Sequence, residues 1–358
     1  GSLEIGGTEK QLLSILKKIS NIFDIKIFTI HKKGVLAESF SKLGVEIIES
    51  NINLRRSFNL IYKIPFFYIQ LVKLFRTFKP DITHFFLPAS YILGSPLMFF
   101  FRKSFFIMSR RSLNNYQKKY FFIRFIELFL HKKVDLIIAN SKAVFRQLIE
   151  EENVNKKKCK VIYNGVSIRK RVKKNNKIIK IICISNLIPY KNHKFLLNTL
   201  SKIKKANKWE LILVGSGKVE QINKIKKQII ELKIKNSVKL YGLKTNVDFY
   251  LNQADIGVLV SNEEGFSNTI LEYMSFSLPV IATDVGGNSE AITDNDSGFL
   301  IKPNDIDQLK EKIEILLEKK RTRILMGRKG FIRAKSLFNL NKASIIYKNL
   351  YNNVKKLN

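Results

Sequence analysis

Two cysteines, four histidines, seven prolines and one tryptophan in 358 residues exclude several kinds of chemistry. Cys159 and Cys183 lie far apart, each in an apolar, strand-like run. That pattern excludes a disulfide framework and predicts two buried free thiols, as in a reducing compartment. His31, His84, His131 and His193 have no metal-ligand spacing, and a histidine-based metal centre is not expected. Scarce proline, 45% hydrophobic residues and 27 phenylalanines exclude a disordered chain. Long apolar runs are missing too. The longest uncharged stretch, FFLPASYILGSPLMFFF at 85–101, is interrupted by Pro88, Gly94 and Pro96. It falls short of the roughly 20 residues of a membrane span, and reads as a strand, a loop and the start of a helix.

Acidic residues are also few: 29 against 64 basic ones, a net charge of +35. A phosphate-bearing partner or an anionic membrane surface would explain this excess, and so would a Lys-, Ile- and Asn-rich composition. The excess is spread along the chain. Residues 1–165 hold 28 basic and 12 acidic residues, leaving +16, and 166–358 hold 36 and 17, leaving +19. A local concentration remains at 51–150, with 17 basic against 4 acidic. The even spread, and the absence of a nucleic-acid motif, argue against a nucleic-acid partner.

What is there is an alternation of short β-branched runs with longer amphipathic ones. Strands are expected at 26–30, 81–86, 104–109, 134–140, 160–163, 180–185, 210–215, 238–242, 255–260, 279–283 and 298–301. Helices are expected at 8–20, 60–78, 115–131, 191–205, 218–233, 306–319 and 340–356. Strands apolar on both faces with helices between them indicate α/β domains with parallel sheets. The length favours two domains, and the charged, aperiodic stretch VSIRKRVKKNNKII (166–179) reads as the linker between them. Ligands of such sheets bind at the carboxyl ends of strands, so chemistry is sought in the strand-to-helix turns.

One turn stands out. After DIGVLV comes EEGFSNTILEYMSFSLPVIATDVGG, with Glu264 and Glu272 eight positions apart. Ser267 or Asn268 would cap a following helix, and the helix's first amides would suit a phosphate or a sugar hydroxyl. Gly265 would let a ligand approach the backbone closely. A helix carrying both glutamates would separate them by about 12 Å at 1.5 Å per residue. That span matches a ribose at one end and the sugar beyond a diphosphate at the other. Carboxylates suit both ends because each accepts hydrogen bonds from vicinal hydroxyls. The plainer alternative is that Glu264 caps a helix and Glu272 is solvated on it.

The pattern EGFSNTILE followed by SLPVIATDVGGNSE resembles the E-x7-E signature of retaining glycosyltransferases of the GT-B fold, family 4-like group. Further stretches are similar in the same order: GGTE (6–9), VDLIIANSKAV (134–144), KVIYNGV (160–166), ISNLIPYKNH (184–193), ELILVGSG (210–217), and VKLYGL with LNQADIGVLVS (238–261). The resemblance covers nearly the whole chain and is weakest over 31–130. It implies two Rossmann-like α/β domains facing a central cleft. These would be an acceptor-side domain at 1–168, a nucleotide-sugar domain at 169–339, and a C-terminal helix at 340–358 packing back on the first. It also implies a buried strand directly before the glycine turn. Only GSLEI precedes it here, so the sheet is expected to lack its first strand and to be poorly stable.

Roles follow from the resemblance. Glu264 would hold the donor sugar's hydroxyls, Glu272 the ribose, and Gly265, Phe266, Ser267, Asn268 and Thr269 would line the donor. Lys191 would neutralise the departing diphosphate, where a positioned cation stabilises developing charge, and Gly6 and Gly7 would face the same phosphates. Two positions depart from the family. A Gly-Arg pair is replaced by Ser185 and Asn186, leaving Asn186 as a neutral donor. A histidine after the fourth strand is replaced in IMSRRSLNNY by Arg110 and Arg111. Arg110 is the candidate there for phosphate or acceptor binding, the alternative being a basic surface pair. His84 reads as structural, and Asp294, Asn295 and Asp296 as a turn. No metal and no cofactor are expected.

The implied activity is metal-independent, retaining transfer of a hexose-type sugar from a nucleotide diphosphate sugar to a hydroxyl. The acceptor would be a glycan or lipid-linked molecule of bacterial surface-polysaccharide synthesis. The setting would be cytoplasmic, at the inner face of the cell membrane, with the basic, aromatic region 55–133 against the lipid. The alternatives are an epimerase or hydrolase of the same fold, a donor-binding protein without transfer, and a non-catalytic basic binding protein.

Overall fold

A computed structural model of the chain describes residues 1–31, 33–50, 60–169, 178–204 and 208–355. It divides into two compact units, Gly1–Gly165 with Leu340–Asn358, and Val166–Asn339. Residues 170–177, most of the stretch expected as a linker, lie outside the described residues.

The first unit runs α1 (Gly7–Ile19), β1 (Lys26–Thr29), α2 (Ala37–Ser41), β2 (Glu46–Glu49), α3 (Leu60–Phe78), β3 (Ile82–Phe85), α4 (Pro88–Gly94) and α5 (Leu97–Phe100). It continues through β4 (Phe105–Arg110), α6 (Asn115–Lys119), α7 (Phe121–Lys133), β5 (Leu136–Ala139), α8 (Lys142–Glu150) and β6 (Cys159–Val161). Strands β3 to β6 form a parallel sheet in sequence order, and β1 pairs with β2 in parallel separately. Side chains alternate across a strand. Phe106 and Met108 therefore enter one core layer and Ile107 the other, as do Ile137 and Ala139 against Leu136 and Ile138. The final helix, seen here as the sixteenth, closes the second layer with Leu340, Tyr347 and Leu350.

Among the described residues no strand precedes α1. The β1–β2 pair is not hydrogen-bonded to the four-stranded sheet. A cavity of about 450 Å³, lined by Lys26 to Thr29 on one side and Ile82 and His84 on the other, lies between β1 and β3. The amino-terminal residues border it, with Gly1 O accepting from Ile30 N at 3.0 Å.

The second unit runs β7 (Ile179–Ile184), α9 (His193–Leu200), β8 (Trp209–Val214), α10 (Val219–Glu231), β9 (Val238–Leu240), α11 (Asp248–Gln253) and β10 (Ile256–Leu259). It continues with α12 (Asn268–Ser275), β11 (Val280–Thr283), α13 (Asn288–Ala291), β12 (Gly298–Ile301), α14 (Ile306–Glu318) and α15 (Lys320–Leu337), before α16 (Leu340–Lys355) returns to the first unit. Its strands are ordered β12-β11-β10-β7-β8-β9, every neighbouring pair parallel. The order reverses between β7 and β10, which makes that junction the topological switch point where such sheets bind ligands.

All eleven expected strands form. β2, which periodicity did not reveal, is the addition: Glu46 and Glu49 enclose only two apolar residues. The helix expected over 115–131 is broken at Tyr120, whose φ of −126° and ψ of 87° are not helical. The run 85–101 holds two short helices, not a loop and one helix start. Pro88 opens the first of these, where its missing N–H costs nothing. Cys159 and Cys183 are buried free thiols, their pKa values pushed up to about 12 and about 11, chiefly by burial.

Candidate active site in the second unit

The turns after β7 and β10 carry the candidate residues. After β7 the chain passes Ser185 and Asn186 and makes a short 3-10 turn at Pro189–Lys191. Asn192 then takes a left-handed conformation with φ 54° before α9 begins. Its side chain fixes this turn, donating to Asn262 Oδ1 at 3.0 Å and Asn304 Oδ1 at 2.7 Å. Asn262 N in turn donates to Tyr190 O at 2.7 Å. The β7 and β10 turns are thereby laced together, and Lys191 meets Glu264.

Lys191 Nζ lies 2.5 Å from Glu264 Oε1, which also accepts from Ser261 Oγ at 2.7 Å. Burial acts to lower the Lys191 pKa, but the Glu264 carboxylate outweighs it and holds the ammonium above its ordinary value. Lys191 is therefore a fixed cation at neutral pH. Beside it His193, buried and bonded to Ser185 Oγ at 2.9 Å, is pushed down to about 4 by burial and by Lys191. It stays neutral and adds no second charge.

α12 is aimed at the same place by two of its own side chains. Tyr273 Oη accepts from Ile184 N at 2.8 Å, and Thr269 Oγ1 donates to Ile184 O at 3.1 Å. Both tie the helix to the carboxyl end of β7. The Tyr273 ring lies against Gly257 of β10, where a Cβ would collide with it, so that strand position needs glycine. Ser267 caps the helix, accepting from Ile270 N at 3.3 Å. Gly265 O accepts from Gly287 N at 3.0 Å, and Phe266 packs on Phe338 with ring centroids 5.3 Å apart. The loop 265–267 is buried, while Asn268, Thr269 and Glu272 are half-buried.

α12 starts at Asn268 behind a Ser267 cap, as expected, so Glu264 lies outside the helix and a separation of about 12 Å along a helix carrying both glutamates does not apply. Glu264 sits on the loop with Lys191, and Glu272 lies only about 6 Å up the helix axis from its first residue. Asn186 is exposed. The adjoining β8 turn is held against it by glycines: at Gly215, with φ 154°, a Cβ would collide with Ser185 O.

The remaining candidates belong to the first unit. Gly6 precedes α1 as its N-cap and Gly7 opens the helix, with the Glu9 side chain folded over Gly6. Arg110 is not at an open reacting centre. Its side chain is 2% exposed, and its Nη2 lies 2.8 Å from Glu152 Oε2 and 3.2 Å from Glu127 Oε2. Buried charges are held this way to offset desolvation. Glu127, His131 and Glu152 form a buried group of metal-ligating types, but the guanidinium already supplies the positive charge among them. Arg111 follows directly after the last residue of β4. It donates to Asn164 Oδ1 at 2.6 Å and feels Tyr347 and Glu9.

His84 bonds Tyr351 Oη and Ser109 Oγ, each at 2.8 Å. It is held neutral, pushed down to about 3 by burial. Asp294 accepts from Leu300 N at 2.8 Å, Asn295 is left-handed, and Asp296 pairs with Lys329, so this trio forms a turn. Sequence reasoning missed Ser261, Asn192 and Tyr273 as shapers of the site. Only Ser261 left a trace, as a small polar residue ending an apolar strand.

Residues 166–333 match the family described as Glycosyl transferases group 1, and residues 5–170 match Glycosyltransferase Family 4. The chain is 24% identical over 346 residues to the Campylobacter jejuni N-acetylgalactosamine-N,N'-diacetylbacillosaminyl-diphospho-undecaprenol 4-alpha-N-acetylgalactosaminyltransferase, covering 94% of this chain and 93% of that one. It is 24% identical to a Staphylococcus aureus capsular polysaccharide biosynthesis glycosyltransferase, covering 75% and 76%. In fold it is similar to Anabaena HepE, solved in complex with UDP and glucose, at TM-score 0.84 and 20% identity, covering 98% and 97%.

Proposed function

We propose that this chain, which belongs to the GT-B glycosyltransferases of the group 1, family 4 type, moves a hexose-type sugar from a nucleotide diphosphate sugar to an acceptor hydroxyl with retention of configuration. The observation that carries this reading is the Lys191–Glu264–Ser261 cluster at the switch point of the second unit's sheet, beside the capped end of α12.

Glu264 accepts hydrogen bonds from the donor sugar's hydroxyls, and Glu272 from the ribose. The loop from Gly265 to Thr269 lines the donor, with Asn186 as a neutral hydrogen-bond donor. Lys191 lies against Glu264 in the free chain and turns its charge to the diphosphate as the donor enters. The bond from the anomeric carbon to the diphosphate breaks, and the bond to the acceptor oxygen forms on the same face. The acceptor's proton passes to the departing diphosphate oxygen. Lys191 and the helix end supply the positive charge, so the reading requires no metal. The relatives act in bacterial glycan synthesis, one on a diphospho-undecaprenol substrate by its name. The acceptor is accordingly a glycan or a lipid-linked glycan, met at the cytoplasmic face of an anionic membrane.

The test is calorimetry with a panel of nucleotide sugars on wild type and Glu272→Ala. Acceptor screening with NMR of the product's anomeric configuration follows. One donor should bind tightly, bind at least about tenfold more weakly in the variant, and give a product of unchanged configuration. A folded, monodisperse wild type that binds no nucleotide sugar, or that inverts the configuration, overturns the reading.

A further inference from the structure

Helix α7 buries two polar residues beside Leu130 and turns its phenylalanines outward. A surface helix usually buries its apolar stripe and shows its polar one. Here Glu127 and His131 are buried at 0% and 3% exposure, locked by Arg110 and Glu152. Phe121, Phe122, Phe125 and Phe129 face outward at 77%, 81%, 68% and 50%. The neighbouring α5 extends this face. Phe99 stacks on Phe129, with centroids 6.4 Å apart and planes at 17°, and Phe100 is 78% exposed.

The face is rimmed by cations. Arg102 and Lys103 follow α5 and Lys132 and Lys133 end α7, all exposed. Residues 97–133 contain nine lysines and arginines, of which Arg110 is buried against Glu127, the one acid there. A second copy of this chain would bring an equal basic rim against this one. The complement is a surface that is apolar within and negative at its edge.

We propose that the outward face of α5 and α7 docks on an anionic phospholipid surface. The phenylalanine rings enter the boundary between headgroups and acyl chains, and Arg102, Lys103, Lys132 and Lys133 bind headgroup phosphates. The Arg110–Glu127–Glu152 network pays for this arrangement structurally, by fixing α7 with its polar side inward. The proposal deepens the reading of a membrane-linked acceptor and rests on it only for its biological purpose; docking itself is tested separately from transfer.

The full chain is sedimented with vesicles of phosphatidylglycerol and phosphatidylcholine, and with phosphatidylcholine alone, over a salt series. Wild type should sediment with the anionic vesicles and be released by salt. Phe121→Ser with Phe122→Ser and Phe125→Ser, and separately Lys132→Glu with Lys133→Glu, should each weaken binding about tenfold or more. Circular dichroism and donor calorimetry, expected unchanged, report folding of the variants and the donor site. If the serine variant does not fold, the glutamate variant and the salt series decide. Equal sedimentation of wild type and variants, or none with anionic vesicles, overturns the proposal. So does a wild-type dimer in light scattering that the serine variant turns into a monomer, which marks a self-association face. Loss of donor binding throughout, with vesicle binding intact, would count against the transferase reading alone.

Discussion

Lys191→Met tests whether the lysine is part of a built site or one solvated cation among 64 basic residues. Its side chain is 15% exposed and that of Glu264 11%, with 2.5 Å between the charged atoms. Removing one partner of a buried ion pair costs about 3–5 kcal/mol, because the other charge stays buried without compensation. Ser261 still donates to Glu264 in the variant, and both groups keep some contact with water. The lower end, about 3 kcal/mol, is therefore expected, a factor of roughly 100 in the unfolding equilibrium. Removing both charges, as Lys191→Met with Glu264→Leu, should bring stability back to within about 1 kcal/mol of wild type. The assay is urea unfolding of the four proteins at pH 7 without donor, comparing midpoints at constant slope. Because the Lys191 pKa is raised in the fold, the pair's contribution is complete below the ordinary lysine value of 10.5. It should fade only as pH rises through the folded value. A single-variant cost below about 1 kcal/mol, or a double variant that loses the sum of the two singles, would refute the coupling.

Two further outcomes are expected. Tyr273→Phe leaves the Ile184 amide without the phenol oxygen at the point where the β7–β10 ladder ends, which should cost about 1–3 kcal/mol in urea unfolding and weaken donor binding by calorimetry. His193 is pushed down to about 4 in the fold from 6.5, so stability should fall as pH drops from 6.5 through 4. This single group contributes up to about 3 kcal/mol. His193→Gln should flatten that part of the stability profile, measured by urea midpoints at half-unit steps of pH.

The sequence alone determined the alternation of strands and helices, because strands buried on both faces must be apolar along their length. It also determined the turn after β10 and its capping serine, because a strand end and a helix start leave local signatures, whereas Lys191 is singled out only by the resemblance to the family. The short β2 escaped because two charged residues mask a two-residue apolar core. The break at Tyr120 escaped because aromatics on either side continue the helical pattern.

The role expected for Arg110 was set aside by packing. Nothing local shows that Glu127 and Glu152, 17 and 42 residues away, close around its guanidinium. In the same way, only the tertiary structure placed Lys191 against Glu264, 73 residues apart, and set the outward phenylalanines of α7 over an inward glutamate. The physical reason is common to these cases. Periodicity tells which face of an element is apolar, but whether a charge is buried depends on what the folded chain brings to meet it.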